Sequence, residues 1–178
     1  DDDPQAVIDG LRDRGRRSGL DMLAGVQGDR LIVIVGGADS VGAAAKHVVP
    51  RFGPGPIVIG PEVNDLQAAA SSARAAIAGL RAAAGWPDAP RPVHAEDLLA
   101  ERAIDGDADA RSQLIENVYV PLTGTPLLDT LATYLEQGTS LEATARLLFV
   151  HPNTVRYRLR KITELTGYQP TEGRSAFT

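Results

Sequence analysis

A chain of 178 residues with 43% hydrophobic side chains has material for one good core or two small ones, and two are expected, because domains cluster at roughly 100 to 150 residues. It contains no cysteine, which excludes a disulfide framework, a thiolate metal site and a cysteine nucleophile; His47, His94 and His151 are too scattered to suggest a metal cluster. The formal net charge of -5 argues against a nucleic-acid partner only until its distribution is read: from Thr139 onward Arg146, Arg156, Arg158, Arg160, Lys161 and Arg174 outweigh Glu142, Glu164 and Glu172 by about +3, leaving about -8 upstream.

The first half alternates helix and strand signals, the mark of an α/β layer domain. Val7, Ile8 and Leu11 sit at helical spacing before Gly19. Leu20 to Val26 and Leu31 to Val35 are apolar runs joined through Gln27-Gly28-Asp29-Arg30, a hairpin signal that predicts antiparallel pairing. Ser40 to Val49 is alanine-rich and helical, ended by Pro50 and the breaker run Gly53-Pro54-Gly55-Pro56; Ile57-Val58-Ile59 is too short and β-branched for anything but a buried strand. Asn64 to Ala84 is a long alanine-rich helix with Asn64 as N-cap and Gly85 as stop, and Val93-His94 adds a short edge strand. From Glu96 to Val120 the pattern is helical again, interrupted at Asp105-Gly106-Asp107, and everything beyond Pro121 reads as helix.

Leu127, Leu128, Leu131 and Leu135 form an amphipathic stripe on a helix that Gly138 ends. Thr139-Ser140-Leu141-Glu142 offers a capping box for the next helix, with Leu141, Ala145 and Leu148 facing inward. Phe149-Val150-His151-Pro152-Asn153 is a tight turn into a further helix with Pro152 at its first position, and two helices so joined have the helix-turn-helix layout. Val155, Leu159, Ile162 and Leu165 anchor the second helix and turn Asn153, Thr154, Arg156, Tyr157, Arg160 and Lys161 outward. A recognition helix sets its N-terminal residues at base edges and its flanks near phosphates, which assigns Asn153, Thr154 and Arg156 to bases and Tyr157, Arg158, Arg160 and Lys161 to phosphates. Spacing alone fits equally a small bundle whose arginines form a solvated face.

At these residues the chain resembles a known family. TSLEATARLLFVHPNTVRYRLRKITELTG, Thr139 to Gly167, is similar to the C-terminal helix-turn-helix of PucR/CdaR-type bacterial regulators, with Phe149 to Leu159 as the hallmark segment. The order of strands and helices over residues 1 to 95 resembles the degenerate GGDEF-like domain that precedes it in many members. More narrowly, Pro56 to Pro61, Ala84 to Pro92 and Glu101-Arg102-Ala103 are similar to actinobacterial fatty-acid-biosynthesis regulators of the FasR and MabR type. That resemblance implies activation of fatty acid synthase genes in response to acyl-CoA; it assigns the effector site to no residue of this sequence.

No GG[DE]EF sequence is present, so the carboxylates a diguanylate cyclase needs to hold metal on a triphosphate are missing. Gly36-Gly37-Ala38-Asp39 fits neither phosphate-loop spacing and reads as a turn with a helix cap at Asp39 or Ser40. His94, Glu96 and Asp97 read as a loop end and helix cap, and Trp86, the single tryptophan, as domain packing.

The expectation is therefore an α+β protein: residues 1-95 a partial, non-catalytic GGDEF-like α/β domain, 96-125 a helical connector, and 126-178 a helix-turn-helix domain with its last helix truncated. The chain opens at Asp1 without methionine and reads as a segment of something longer. Its expected partner is double-stranded promoter DNA, bound as a dimer or higher homo-oligomer; no enzyme activity and no cofactor are expected. Its apolar runs fall far short of the roughly 20 residues that span a bilayer and no leader pattern opens it, so a cytoplasmic location without membrane contact is expected. The alternatives left open are a regulator of a different metabolic operon and a protein-interaction module that does not touch DNA.

Overall fold

Helix α1, Pro4–Ser18, turns Ile8 and Leu11 to the same side, as residues three apart on a helix must, and Gly19 at φ +68 ends it. The computed structural model describes residues 4–178. Strands β1, Asp21–Gln27, and β2, Arg30–Gly36, follow as the expected antiparallel hairpin, in register from Asp21 opposite Gly36 to Gln27 opposite Arg30. Its two-residue loop turns on Gly28 at φ +64, the left-handed backbone that tight hairpins require and glycine adopts without strain. Alternation sends Met22, Ala24, Leu31, Val33 and Val35 to one face, where they pack with Ile8, Leu11, Val48 and Phe52.

Helix α2, Val41–Val48, starts at Ser40, whose hydroxyl accepts from the Ala43 amide at 3.2 Å, and gives way to a 3-10 turn, Val49–Arg51, around Pro50. Strand β3, Val58–Ile59, runs through helix α3, Leu66–Ala82, and a 3-10 turn, Ala83–Gly85, to strand β4, Val93–His94. The two strands pair in parallel, Val58 opposite Val93 and Ile59 opposite His94, as a helical crossover permits. Gly60 lets α3 approach closely: a Cβ there would stand 2.3 Å from the Ser72 carbonyl oxygen. The α3 cap is Asp65 rather than Asn64: its carboxylate accepts from the Ala68 amide at 2.7 Å, and its negative charge suits the helix N-terminus. Trp86 packs with Val58 and Ala89 on the buried Ala83, Val93 and Leu98.

The chain divides into two units, residues 1–101 and 102–178, with the boundary inside helix α4, Leu99–Ile104. In the second unit, helix α5, Ala108–Leu114, continues into one π-helical turn, Ile115–Tyr119, and short helix α6, Val120–Leu122. Asp107 does more than interrupt a helix. Its carboxylate caps α5 by accepting from the Asp109 and Ala110 amides and is paired with Arg102 through Nη2 at 2.8 Å and Nε at 3.0 Å. Burial works to raise the pKa of Asp107, but the Arg102 hydrogen bond, the two amides and the Arg102 charge together hold it below the ordinary carboxylate value.

Helices α7, Pro126–Glu136, α8, Leu141–Leu147, and α9, Pro152–Thr166, form a bundle around Leu122, Tyr134, Ala145, Val155, Leu159 and Ile162. Helix α10, Gly173–Phe177, follows. Two stripe positions depart from expectation. Leu135 is exposed because the buried side of α7 is centred on Thr130 and Tyr134, and Leu135 stands about 100° round the helix from Tyr134. Leu165, ten residues beyond Val155, has turned about 80° away from the inward direction, so it is 44% exposed beside Glu116, Asn117 and Pro121. Among the described residues, no helix is long and apolar enough to cross a membrane, and no group of three or more metal-ligating side chains could hold an ion.

Candidate nucleic-acid interface

The link between α7 and α8 reverses the chain through two successive left-handed residues, Gly138 at φ +60 and Thr139 at φ +63. That backbone takes Thr139 out of the capping role. Ser140 is the N-cap of α8, its hydroxyl accepting from the Ala143 amide at 3.3 Å, so Glu142 sits one position too early to close a capping box. Ala145 faces the core with Leu141 packed beside it, and Leu148 is half-buried, as expected of this helix.

α8 ends at Leu147 with Leu148 as its C-cap, and Phe149, Val150 and His151 lead from that cap to the start of α9 at Pro152. The turn is held at both ends: the Val150 amide donates to the Ala145 carbonyl at 3.0 Å, Val150 itself packs on the core, and His151 caps α9 by accepting from the Asn153 amide on Nδ1 at 3.1 Å. Accepting there requires that Nδ1 carry no proton. Pro152 occupies the first helical position, where its missing N–H leaves no orphan donor. Gly167 at φ +77 closes the helix.

Within α9, Val155, Leu159 and Ile162 are buried and thereby orient the rest. Asn153, Arg156, Tyr157 and Arg160 are exposed on the opposite side, with Thr154 and Lys161 half-buried at its margins. Arg156 is held on the first turn by donating from Nη1 to the Asn153 side-chain oxygen at 2.7 Å. The Arg160 guanidinium lies 5.8 Å from the centre of the Tyr157 ring, within cation–π range. Lys161 donates to Glu164 at 2.9 Å; that hydrogen bond, and after it the carboxylate charge, raises the lysine pKa above its ordinary value.

Arg158 stands apart from the other six expected contact residues. It is half-buried, and its Nη1 donates at 3.0 Å to Thr130 Oγ1, a fully buried hydroxyl on α7 that in turn donates to the Pro126 carbonyl at 2.6 Å. On a helix Arg158 lies about 60° from Val155, on the flank of the apolar stripe, which is why it reaches the neighbouring helix. Sequence spacing carries no signal for a partner 28 positions away.

The surface so built is cationic. Between Glu142 and Glu164 the chain has no acidic residue, while Arg146, Arg156, Arg158, Arg160 and Lys161 fall within that span. A helix whose N-terminal turn presents amide and guanidinium groups, with further cations along its exposed face, is chemically equipped to meet base edges and phosphates.

Comparison with known proteins agrees with this geometry. Residues 127–178 match the model of the PucR C-terminal helix-turn-helix domain, and residues 1–82 that of a GGDEF-like domain. An uncharacterized protein of Mycobacterium tuberculosis is 46% identical over 180 residues, covering 99% of this chain and 44% of its own length, so the chain spans under half of that relative. The purine catabolism regulatory protein of Bacillus subtilis is 54% identical over 41 residues, 23% of this chain and 8% of that protein. Among solved structures, the regulator of polyketide synthase expression from Bifidobacterium adolescentis superposes with a TM-score of 0.82 at 34% identity, over 99% of this chain and 76% of that one. The chain belongs to the family of regulators in which a GGDEF-like domain precedes a PucR C-terminal helix-turn-helix.

Proposed function

We propose that this chain is the DNA-binding part of a cytoplasmic transcriptional regulator that reads promoter DNA through α9, acts as a dimer, and activates fatty acid synthase genes in response to acyl-CoA. The DNA-binding reading rests on one observation above all: the exposed face of α9, which carries cations without a competing acid until Glu164 and is oriented by three buried anchors. Asn153, Thr154 and Arg156 are assigned to base edges, and Tyr157, Arg160 and Lys161 to phosphates. Arg158 enters as a positioning residue, because its guanidinium is engaged with Thr130. The GGDEF-like unit is assigned signal transmission or dimerisation, and no catalysis is proposed for it.

Two copies reading half-sites about 34 to 36 Å apart multiply affinity and select a palindrome, which a single small helix-turn-helix does poorly. The fatty-acid role and the acyl-CoA effector are supported by the resemblance of the Pro56 to Pro61 and Ala84 to Pro92 segments to regulators of that kind. A different operon is the second reading, favoured by the Bifidobacterium relative, whose name places it at polyketide synthase expression. The test is binding of the chain to a fatty acid synthase promoter and to an unrelated duplex across a salt series. Selective binding that weakens steeply with salt and is lost in an Arg156/Lys161 double-alanine variant supports the first reading. Selection of other sequences from a random library moves the proposal to another operon, and no selective binding to any duplex rejects DNA recognition.

A further inference from the structure

The conformation of Phe149 is set by the turn between α8 and α9, but among the described residues nothing covers its ring. It sits directly after Leu148, the C-cap of α8, at φ +54, in the left-handed backbone region where helices ordinarily place glycine because a Cβ is strained there. The ring gains no burial in return, since Phe149 is 95% exposed. Its neighbour Val150 takes the packing role on the bundle core, and the backbone bond from the Val150 amide to Ala145 fixes the turn so that the Phe149 ring is carried outward. The turn therefore holds a large aromatic side chain in water at the entrance to α9, where it is available to whatever that helix binds.

The surroundings select the partner. Phe149 lies two residues ahead of the His151 cap of α9, and thus beside the first turn that carries Asn153, Thr154 and Arg156. Arg146 precedes it on α8, and no acidic residue occurs between Glu142 and Glu164. A second copy presenting the same face would bring cation against cation, whereas a polyanion is attracted. The apolar group that duplex DNA offers at the mouth of the major groove is the C5-methyl of thymine, for which phenylalanine is an apt contact.

We propose that Phe149 is a specificity-determining residue that packs on a thymine methyl at the edge of the half-site read by α9. This deepens the DNA-binding reading above and rests on it.

The experiment uses the full chain, duplexes that it selects from a random library, and the same duplexes with each thymine in turn replaced by uracil, which removes the methyl alone. The Phe149→Gly variant removes the ring while supplying the residue best suited to the left-handed position, so its thermal midpoint should equal or exceed that of the parent. On the thymine duplex its affinity should fall about 3- to 10-fold, the scale of losing one buried methyl contact and part of a ring, with the salt slope unchanged. On one uracil-substituted duplex the parent should suffer a similar loss and Phe149→Gly no further one. Equal affinity of parent and variant overturns the proposal, as do losses that add independently at every thymine. A fall in affinity that accompanies weaker self-association in sedimentation overturns it in favour of a second copy. Failure of the parent to select any duplex rejects the DNA-binding reading, and this inference with it; a parent that selects normally while Phe149→Gly matches it rejects this inference alone.

Discussion

Replacing Arg156 by alanine tests the recognition helix where its geometry is most specific. The guanidinium is exposed and held by Asn153 Oδ1 at 2.7 Å, while the Asn153 amide is bonded to His151, so the first turn forms a short chain of polar contacts that orients the group before any ligand arrives. One of the five guanidinium donors is used in this way, which leaves a side edge for the paired O6 and N7 acceptors of guanine. A bidentate contact of that kind discriminates by about 1 to 3 kcal/mol, or roughly 5- to 150-fold in affinity. The fold should be indifferent: the side chain is exposed and alanine favours helix, so stability should change by no more than about 0.5 kcal/mol. Fluorescence anisotropy on a selected duplex, on the same duplex altered at one guanine, and on a nonspecific duplex measures the effect. The variant should lose affinity chiefly for the first, and should no longer distinguish it from the second. Arg156→Lys should not restore the difference, because an ammonium cannot pair with two acceptors in a plane. Unchanged affinity refutes the reasoning, and so does an equal loss on specific and nonspecific duplexes, which would make Arg156 a phosphate contact.

Glu164→Gln should strengthen binding to any duplex and steepen its salt dependence by about one phosphate contact, because Lys161 is now neutralised by Glu164; an unchanged salt slope would remove Lys161 from the interface. Arg158→Ala should act in the opposite manner, lowering the thermal midpoint through loss of the Thr130 bond while leaving the salt slope intact; a slope reduced by about 0.9 would restore Arg158 to the phosphate contacts. Asp107→Ala should destabilise the helical unit by about 2 kcal/mol, since it removes one charged hydrogen-bond partner of the 2% exposed Arg102 side chain and uncaps α5; a midpoint within a degree of the parent would contradict this. The pH dependence has the corresponding sign. The folded pKa of Asp107 is depressed, so its contribution is fully present above the unfolded value near pH 4 and is lost as the pH falls through the lower folded value; in Asp107→Ala that part of the acid unfolding should be absent.

Local rules made much of this protein legible from its residues. The hairpin about Gly28, the helix begun at Ser40, the β-branched strand at Val58, the turn into Pro152 and the anchoring of α9 by Val155, Leu159 and Ile162 all depend on neighbours within about four positions, where periodicity and capping chemistry act. The same local signals placed Asn153, Thr154, Arg156, Tyr157, Arg160 and Lys161 on the outward side of that helix. Local rules fail where two adjacent residues compete for one cap, and so Asn64 and Thr139 yielded to Asp65 and Ser140 once the backbone entering each helix was set. They fail again at the ends of a stripe, where a 100° step per residue carries Leu135 and Leu165 off the buried side. What only tertiary structure decided was which distant groups meet and which side chains are left without a place inside: the parallel pairing of Val58 with Val93, the tie from Arg158 to Thr130, the withdrawal of the Arg102–Asp107 pair from water, and the ring of Phe149 outside the core that Val150 fills. Each depends on how much space the packed elements leave and where a polar group must find its partner, and neither quantity is written in the spacing of residues along the chain.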